Sequence, residues 1–142
     1  ISRLIFRDSI ASEIVELAEQ GKPIMGTCAG LILLAKHGDE QVERTRTKLL
    51  GLLDVWIKRN AFGRQRESFE VILNVKKIGE FPAVFIRAPA ITRVGDDVEV
   101  LARFEDYIVA VQQKNILGFA FHPELTEDTR IHEHFLMLAE NI

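Results

Sequence analysis

Cys28 is the one cysteine among 142 residues, and it sits in Gly26-Thr27-Cys28-Ala29-Gly30 between two apolar segments. A glycine-x-nucleophile-x-glycine run at a strand-to-helix junction reads as a nucleophile elbow: the glycines relieve crowding while the central residue takes a strained conformation. Lys22 to Thr27 supplies a short strand, and Ala29 to Lys36 supplies a helix with Leu31, Leu34 and Ala35 on one face. Cys28 then lies at a helix N-terminus, where free N–H groups are expected to lower a thiol pKa from about 8.5 toward neutral. The N–H of Ala29 is placed to hold an oxyanion. The alternative is a buried, inert thiol in a glycine-flanked turn, the commoner role for a lone cysteine, against which the elbow pattern favours a nucleophile.

A nucleophilic thiol needs a base, and the run Ile116 to Phe121 ends in His122-Pro123-Glu124. Side chains alternate along a strand, so His122 and Glu124 can project to the same side, with Pro123 fixing the backbone between them. A cysteine, a histidine base and a carboxylate that orients the histidine form the logic of a hydrolytic triad. That logic does not choose the acyl group. A cysteine peptidase, a deglycase and a silent interaction scaffold remain open on these residues alone.

The elements that must position these groups follow from pattern. Ile1 to Phe6 reads as part of a helix, and Ile10, Ile14, Leu17 and Ala18 give a second helix its apolar stripe, ended by Gly21 and Pro23. The elbow helix is expected to run to about Gly38 with His37 as its C-terminal charge, followed by a charged loop from Asp39 to Lys48. Strands are expected at Leu52 to Ile57, Phe69 to Val75, Ala83 to Ile86, Val98 to Phe104, Tyr107 to Gln112 and Ile116 to Phe121. A last helix begins near Thr126, with Glu127 and Asp128 in its first turn and Ile131, Phe135, Leu138 and Ala139 inward. His132-Glu133-His134 lacks the helical spacing of a metal site, and Trp56 and Tyr107 read as core or rim aromatics.

Helices at both ends and strands between give an α/β sandwich with an antiparallel insertion in a single domain, residues 1–142. A net charge of −3 argues against a nucleic-acid surface, and the basic stretch from Lys58 to Arg66 reads as a turn flanking the site. No apolar run approaches a membrane span and no signal pattern opens the chain, so a reducing cytoplasm is expected. No cofactor motif is present: the glycines match no dinucleotide or phosphate loop.

The segments around Cys28 and Phe121 to Asp128 resemble the two signatures of class I, triad-type glutamine amidotransferases. Arg59-Asn60-Ala61-Phe62-Gly63-Arg64-Gln65 and Phe85-Ile86-Arg87-Ala88-Pro89 resemble, more narrowly, the glutaminase subunits of pyridoxal 5′-phosphate synthase. The resemblance implies a flavodoxin-like three-layer fold and hydrolysis of L-glutamine to glutamate and ammonia through a thioester. Cys28 would be the nucleophile, His122 the proton carrier and Glu124 its orienter. Arg59, Ile86 and Arg87 would bind glutamine, an arginine being suited to the α-carboxylate. The partner implied is the synthase subunit, which would receive the ammonia. Family members also carry a βαβ unit and a Gly-Gly-Glu-Ser loop ahead of the segment matched by Ile1, so the domain is expected to be N-terminally truncated and to lack one oxyanion donor.

Overall fold

A computed structural model describes residues 10–39, 49–63 and 66–140. The helix expected over Ile1 to Phe6, most of the charged loop after Asp39, and Arg64 and Gln65 lie outside the described residues. The elements in chain order are α1 (Ile10–Glu19), β1 (Ile24–Thr27), α2 (Ala29–Leu34), β2 (Ala35–His37), β3 (Leu53–Lys58), β4 (Ser68–Val75), β5 (Gly79–Ile86), β6 (Ala90–Val94), β7 (Glu99–Phe104), β8 (Tyr107–Gln113), β9 (Ile116–Phe119) and α3 (Arg130–Glu140).

Seven strands form one mixed sheet in the order β1-β9-β8-β6-β3-β2, with β7 added on β8, while β4 and β5 make a separate hairpin. Among the described residues only β1–β9 and β2–β3 pair in parallel. The antiparallel strands expected between the helices make up most of the described sheet. All four residues of β9 are buried, as suits a strand covered on both faces. Helix α2 packs across β1 and β9, and the approach is tight: a Cβ on Gly118 would stand 2.7 Å from Leu31 Cδ1 and 2.9 Å from Leu53 Cδ1. The core is rich in phenylalanine, with Phe81, Phe85, Phe119 and Phe121 fully buried, each contributing about 1.5–3 kcal/mol of transfer free energy.

The elbow helix stops at Leu34, short of the expected Gly38. Its last carbonyls are taken by a returning segment: the N–H groups of Leu50, Leu52 and Gly51 donate to the carbonyls of Leu33, Leu34 and Ala35 at 2.8, 2.9 and 3.1 Å. Ala35 turns extended, with ψ 158°, and β2 pairs with β3. His37 is accordingly a strand residue and caps no helix. Its ring stacks on Trp56 at 3.9 Å and its Nε2 lies 3.2 Å from Asp54 Oδ1. Strand β6 was not marked by pattern: Ala90-Ile91-Thr92-Arg93-Val94 is held by its neighbours β3 and β8.

The last helix begins at Arg130 and not near Thr126. Thr126 Oγ1 accepts the Asp128 N–H at 3.2 Å and Asp128 Oδ1 accepts the Arg130 N–H at 3.1 Å, so local side-chain bonds hold a turn where a helix was expected. Glu133, not Glu127 or Asp128, is the acid of its first turn. Ile131 is buried and Phe135 and Leu138 are partly so, but Ala139 is exposed. No helix among the described residues is long and apolar enough to cross a membrane.

Candidate active site

The register of β1 on β9 builds the site. Ile24 to Thr27 pair with Ile116 to Phe119 in parallel, so both strands end level and the residues that follow emerge side by side. The Cys28 N–H continues the ladder, donating to the Phe119 carbonyl at 2.9 Å. The carboxyl ends of parallel strands are where open α/β sheets place their chemistry.

Cys28 has φ 53° and ψ −110°, a strained conformation for a side chain other than glycine, and α2 starts on the next residue. This is the elbow geometry expected from the pentapeptide. The two glycines do different work, however. A Cβ on Gly26 would stand 2.6 Å from Leu34 Cδ1 and 2.7 Å from the Gly30 carbonyl oxygen, so a side chain there is excluded by backbone. A Cβ on Gly30 would meet nothing within 4 Å.

Cys28 is buried, with 8% of the residue exposed. It donates toward the carbonyl oxygens of Ala120 at 3.4 Å and Ile86 at 3.6 Å. Burial, joined by the charge of Glu124, pushes its pKa up to about 11, against the lowering effect of the Ala29 N–H. The expectation of a thiol near neutrality is thus overturned. A helix of six residues offers a weak N-terminal field, and the desolvation of a buried thiolate outweighs it. The backbone N–H of Ala29 bonds the sulfur and so works against that rise.

His122 follows β9 and is fixed at both ends. Its backbone N–H donates to Val84 O at 2.8 Å, tying the site to β5, and its Nδ1 lies 2.7 Å from Glu124 Oε2. The 3₁₀ turn Pro123–Leu125 begins with the proline, which lets Glu124 fold back toward the ring. Among the described residues the hydrogen bonds of the Cys28 thiol go to the two carbonyls and none goes to the His122 ring.

Ile86 ends β5 with its carbonyl on the thiol, and Arg87 follows in the left-handed region with φ 45°. A cavity of about 330 Å³ opens there, lined by Asn60, Phe62, Gly63 and Arg66 from the β3–β4 connection and by Arg87 and Ala88. Arg59 is not among the residues lining it; its backbone N–H donates to Asp39 Oδ2 at 2.8 Å. Pattern reading passed over Phe62 and Arg66 as parts of a basic turn. The signal that could have found them is the pair Phe62 and Phe69 bracketing Arg64 and Arg66.

The sheet, the elbow and the His–Glu pair at neighbouring strand ends define the class I glutamine amidotransferase fold. A solved structure of a glutamine amidotransferase aligns over 98% of this chain and 72% of its own, with a TM-score of 0.90 and 48% identity. PurLQS from Thermotoga maritima, at 21% identity and a TM-score of 0.57, shares the fold over 93% of this chain and 67% of its own.

The chain belongs to the SNO glutamine amidotransferase family, matching it over residues 1–141. It is 75% identical to pyridoxal 5′-phosphate synthase subunit PdxT of Archaeoglobus fulgidus, over 99% of this chain and 71% of that one. To the PdxT protein from Methanococcoides burtonii it is 58% identical, over 96% of this chain and 69% of the relative.

Proposed function

We propose that this chain is the glutaminase of a two-protein pyridoxal 5′-phosphate synthase, hydrolysing L-glutamine at Cys28 and passing ammonia to the synthase subunit within the cytoplasm. The observation that carries the reading is the left-handed elbow at Cys28, level with a His122–Glu124 pair at the end of the adjoining parallel strand.

In the first half-reaction Cys28 loses its proton to His122 and its sulfur bonds to the amide carbon of glutamine. The Ala29 N–H holds the oxyanion. When the intermediate collapses, the C–N bond breaks and His122 returns the proton to the leaving nitrogen, which departs as ammonia. In the second half-reaction His122 takes a proton from water, the hydroxyl adds to the thioester, and the C–S bond breaks to release glutamate and restore the thiol. Glu124 holds the imidazole in the required tautomer throughout. Arg87, which lines the cavity beside Ile86, takes the α-carboxylate, and Arg59 supports the β3–β4 connection through its backbone bond to Asp39.

Burial and the charge of Glu124 favour the protonated thiol. Attack therefore requires proton transfer to His122 in step with substrate engagement, when glutamine displaces the thiol from its two carbonyl partners. Assay of glutamate release by the full-length protein with the synthase subunit tests the reading. Cys28→Ala is expected to lower turnover by at least about 10³-fold while leaving the fold intact. Near-normal turnover in that variant would overturn the assignment.

A further inference from the structure

The cavity lined by Phe62, Arg87 and Ala88 carries two described arginines, and they are held differently. No side-chain partner of Arg87 occurs among the described residues, which leaves its guanidinium available to an anion. Arg66 is fully engaged. Its Nη1 donates to both carboxylate oxygens of Glu105, at 2.9 Å to Oε2. Its guanidinium also lies over three rings, 4.7 Å from the centroid of Phe69, 5.1 Å from Phe104 and 5.9 Å from Phe62.

Those rings lead to the reacting atoms. Phe69 stacks on Phe85 at 4.7 Å and an interplanar angle of 6°, and Phe85 immediately precedes Ile86, whose carbonyl meets the thiol. Phe85 also packs on Phe121 at 5.6 Å, and Phe121 immediately precedes His122. Phe62, the aromatic wall of the cavity, sets its edge on Phe69, Phe85 and Tyr107 at 5.3–5.6 Å. An exposed Arg–Glu pair on its own is worth little. Here the same cation closes one end of an aromatic cluster whose other end carries Ile86, Arg87 and His122, and a guanidinium, with its charge spread over a plane, suits a carboxylate and ring faces at once.

We propose that Arg66, anchored on Glu105 of the β7–β8 turn, is a positioning residue that sets the distance between the Arg87 guanidinium and Cys28, and so tunes affinity for the amino-acid substrate. The inference rests on the proposed glutaminase reading. It deepens it by naming a residue that touches neither the thiol nor the scissile bond.

The experiment measures kcat and KM for L-glutamine with the full-length protein saturated by the synthase subunit, for wild type, Arg66→Met, Arg66→Lys and Arg87→Met. Arg66→Met is expected to raise KM about tenfold with kcat within about twofold. Arg66→Lys keeps the charge for Glu105 but loses the delocalised guanidinium over the rings, so its KM rises about threefold. Arg87→Met, which removes the carboxylate's partner itself, sets the upper limit of the KM effect. If Arg66→Met does not fold, the lysine variant decides by the same KM criterion. An unchanged KM, or a fall in kcat alone as a merely structural role would give, overturns the inference and leaves the glutaminase reading standing. A wild-type protein without glutaminase activity overturns that reading first, and the inference with it.

Discussion

At Cys28 two demands compete. The elbow conformation, φ 53°, aims the sulfur away from its own strand and helix, as a nucleophile requires. Burial at that point and the negative charge of Glu124 then hold the thiol protonated. The sign of the second effect is testable. A carboxylate disfavours the thiolate, so replacing it with a neutral amide of the same shape should move the thiol pKa down from about 11. In Glu124→Gln the pH profile of iodoacetamide alkylation at Cys28 should therefore shift to lower pH. Glutaminase turnover should fall nonetheless, by on the order of 10²-fold or more, because the imidazole loses the partner that fixes its tautomer. An upward shift of the alkylation profile would mean that Glu124 acts mainly by stabilising an imidazolium that in turn stabilises the thiolate.

At the scale of elements, the site depends on how closely α2 can settle on β1. Gly26 is required because a Cβ would meet the backbone of Gly30 at 2.7 Å, whereas Gly30 faces open space within α2. Gly26→Ala should destabilise the protein by about 1–3 kcal/mol, in the range of overpacking. Gly30→Ala should be neutral or stabilising by up to about 1 kcal/mol, the helical preference of alanine over glycine. Thermal unfolding of the two variants measures both, and equal losses would contradict this account of the elbow. The symmetric look of the pentapeptide concealed that difference. Which glycine is crowded depends on Leu34 and on a helix axis, neither of which is visible in five residues.

Other elements divide along the same physical line. The strands rich in valine, isoleucine and phenylalanine were legible because local pattern and tertiary position agree, whereas in α1 the helix was legible but its expected stripe was not: Ile10 and Leu17 are exposed and Ala11 is the buried residue. The end of α2 was not, because Leu50, Gly51 and Leu52 claim its last carbonyls from a distant part of the chain. Strand β6 exists because β3 and β8 flank it. The start of α3 was displaced by side-chain bonds of Thr126 and Asp128 that compete with helix. At the site, Cys28, His122 and Glu124 stood out by residue type. Arg66 and Phe62 did not, since an arginine's role here comes from the rings of Phe69 and Phe104 and from Glu105, up to 39 positions away.

For the whole molecule, the hairpin β4–β5 and the mixed sheet are separate units that meet at the reacting atoms. Val84 takes the backbone N–H of His122 and Ile86 lays its carbonyl on the thiol. Ammonia set free in water near neutral pH becomes ammonium and is no longer nucleophilic, so a glutaminase of this design works to purpose only on an acceptor enzyme. The central claim is that glutamine is cleaved through a bond to Cys28. Its most direct test is acid quenching of the full-length protein turning over L-glutamine with the synthase subunit, followed by mass spectrometry of the peptide that contains Cys28. The account predicts a glutamyl group attached to that peptide in wild type, and its absence together with loss of glutamate release in Cys28→Ala. Sustained glutamate release by Cys28→Ala, or a glutamyl group on any other residue, would contradict it.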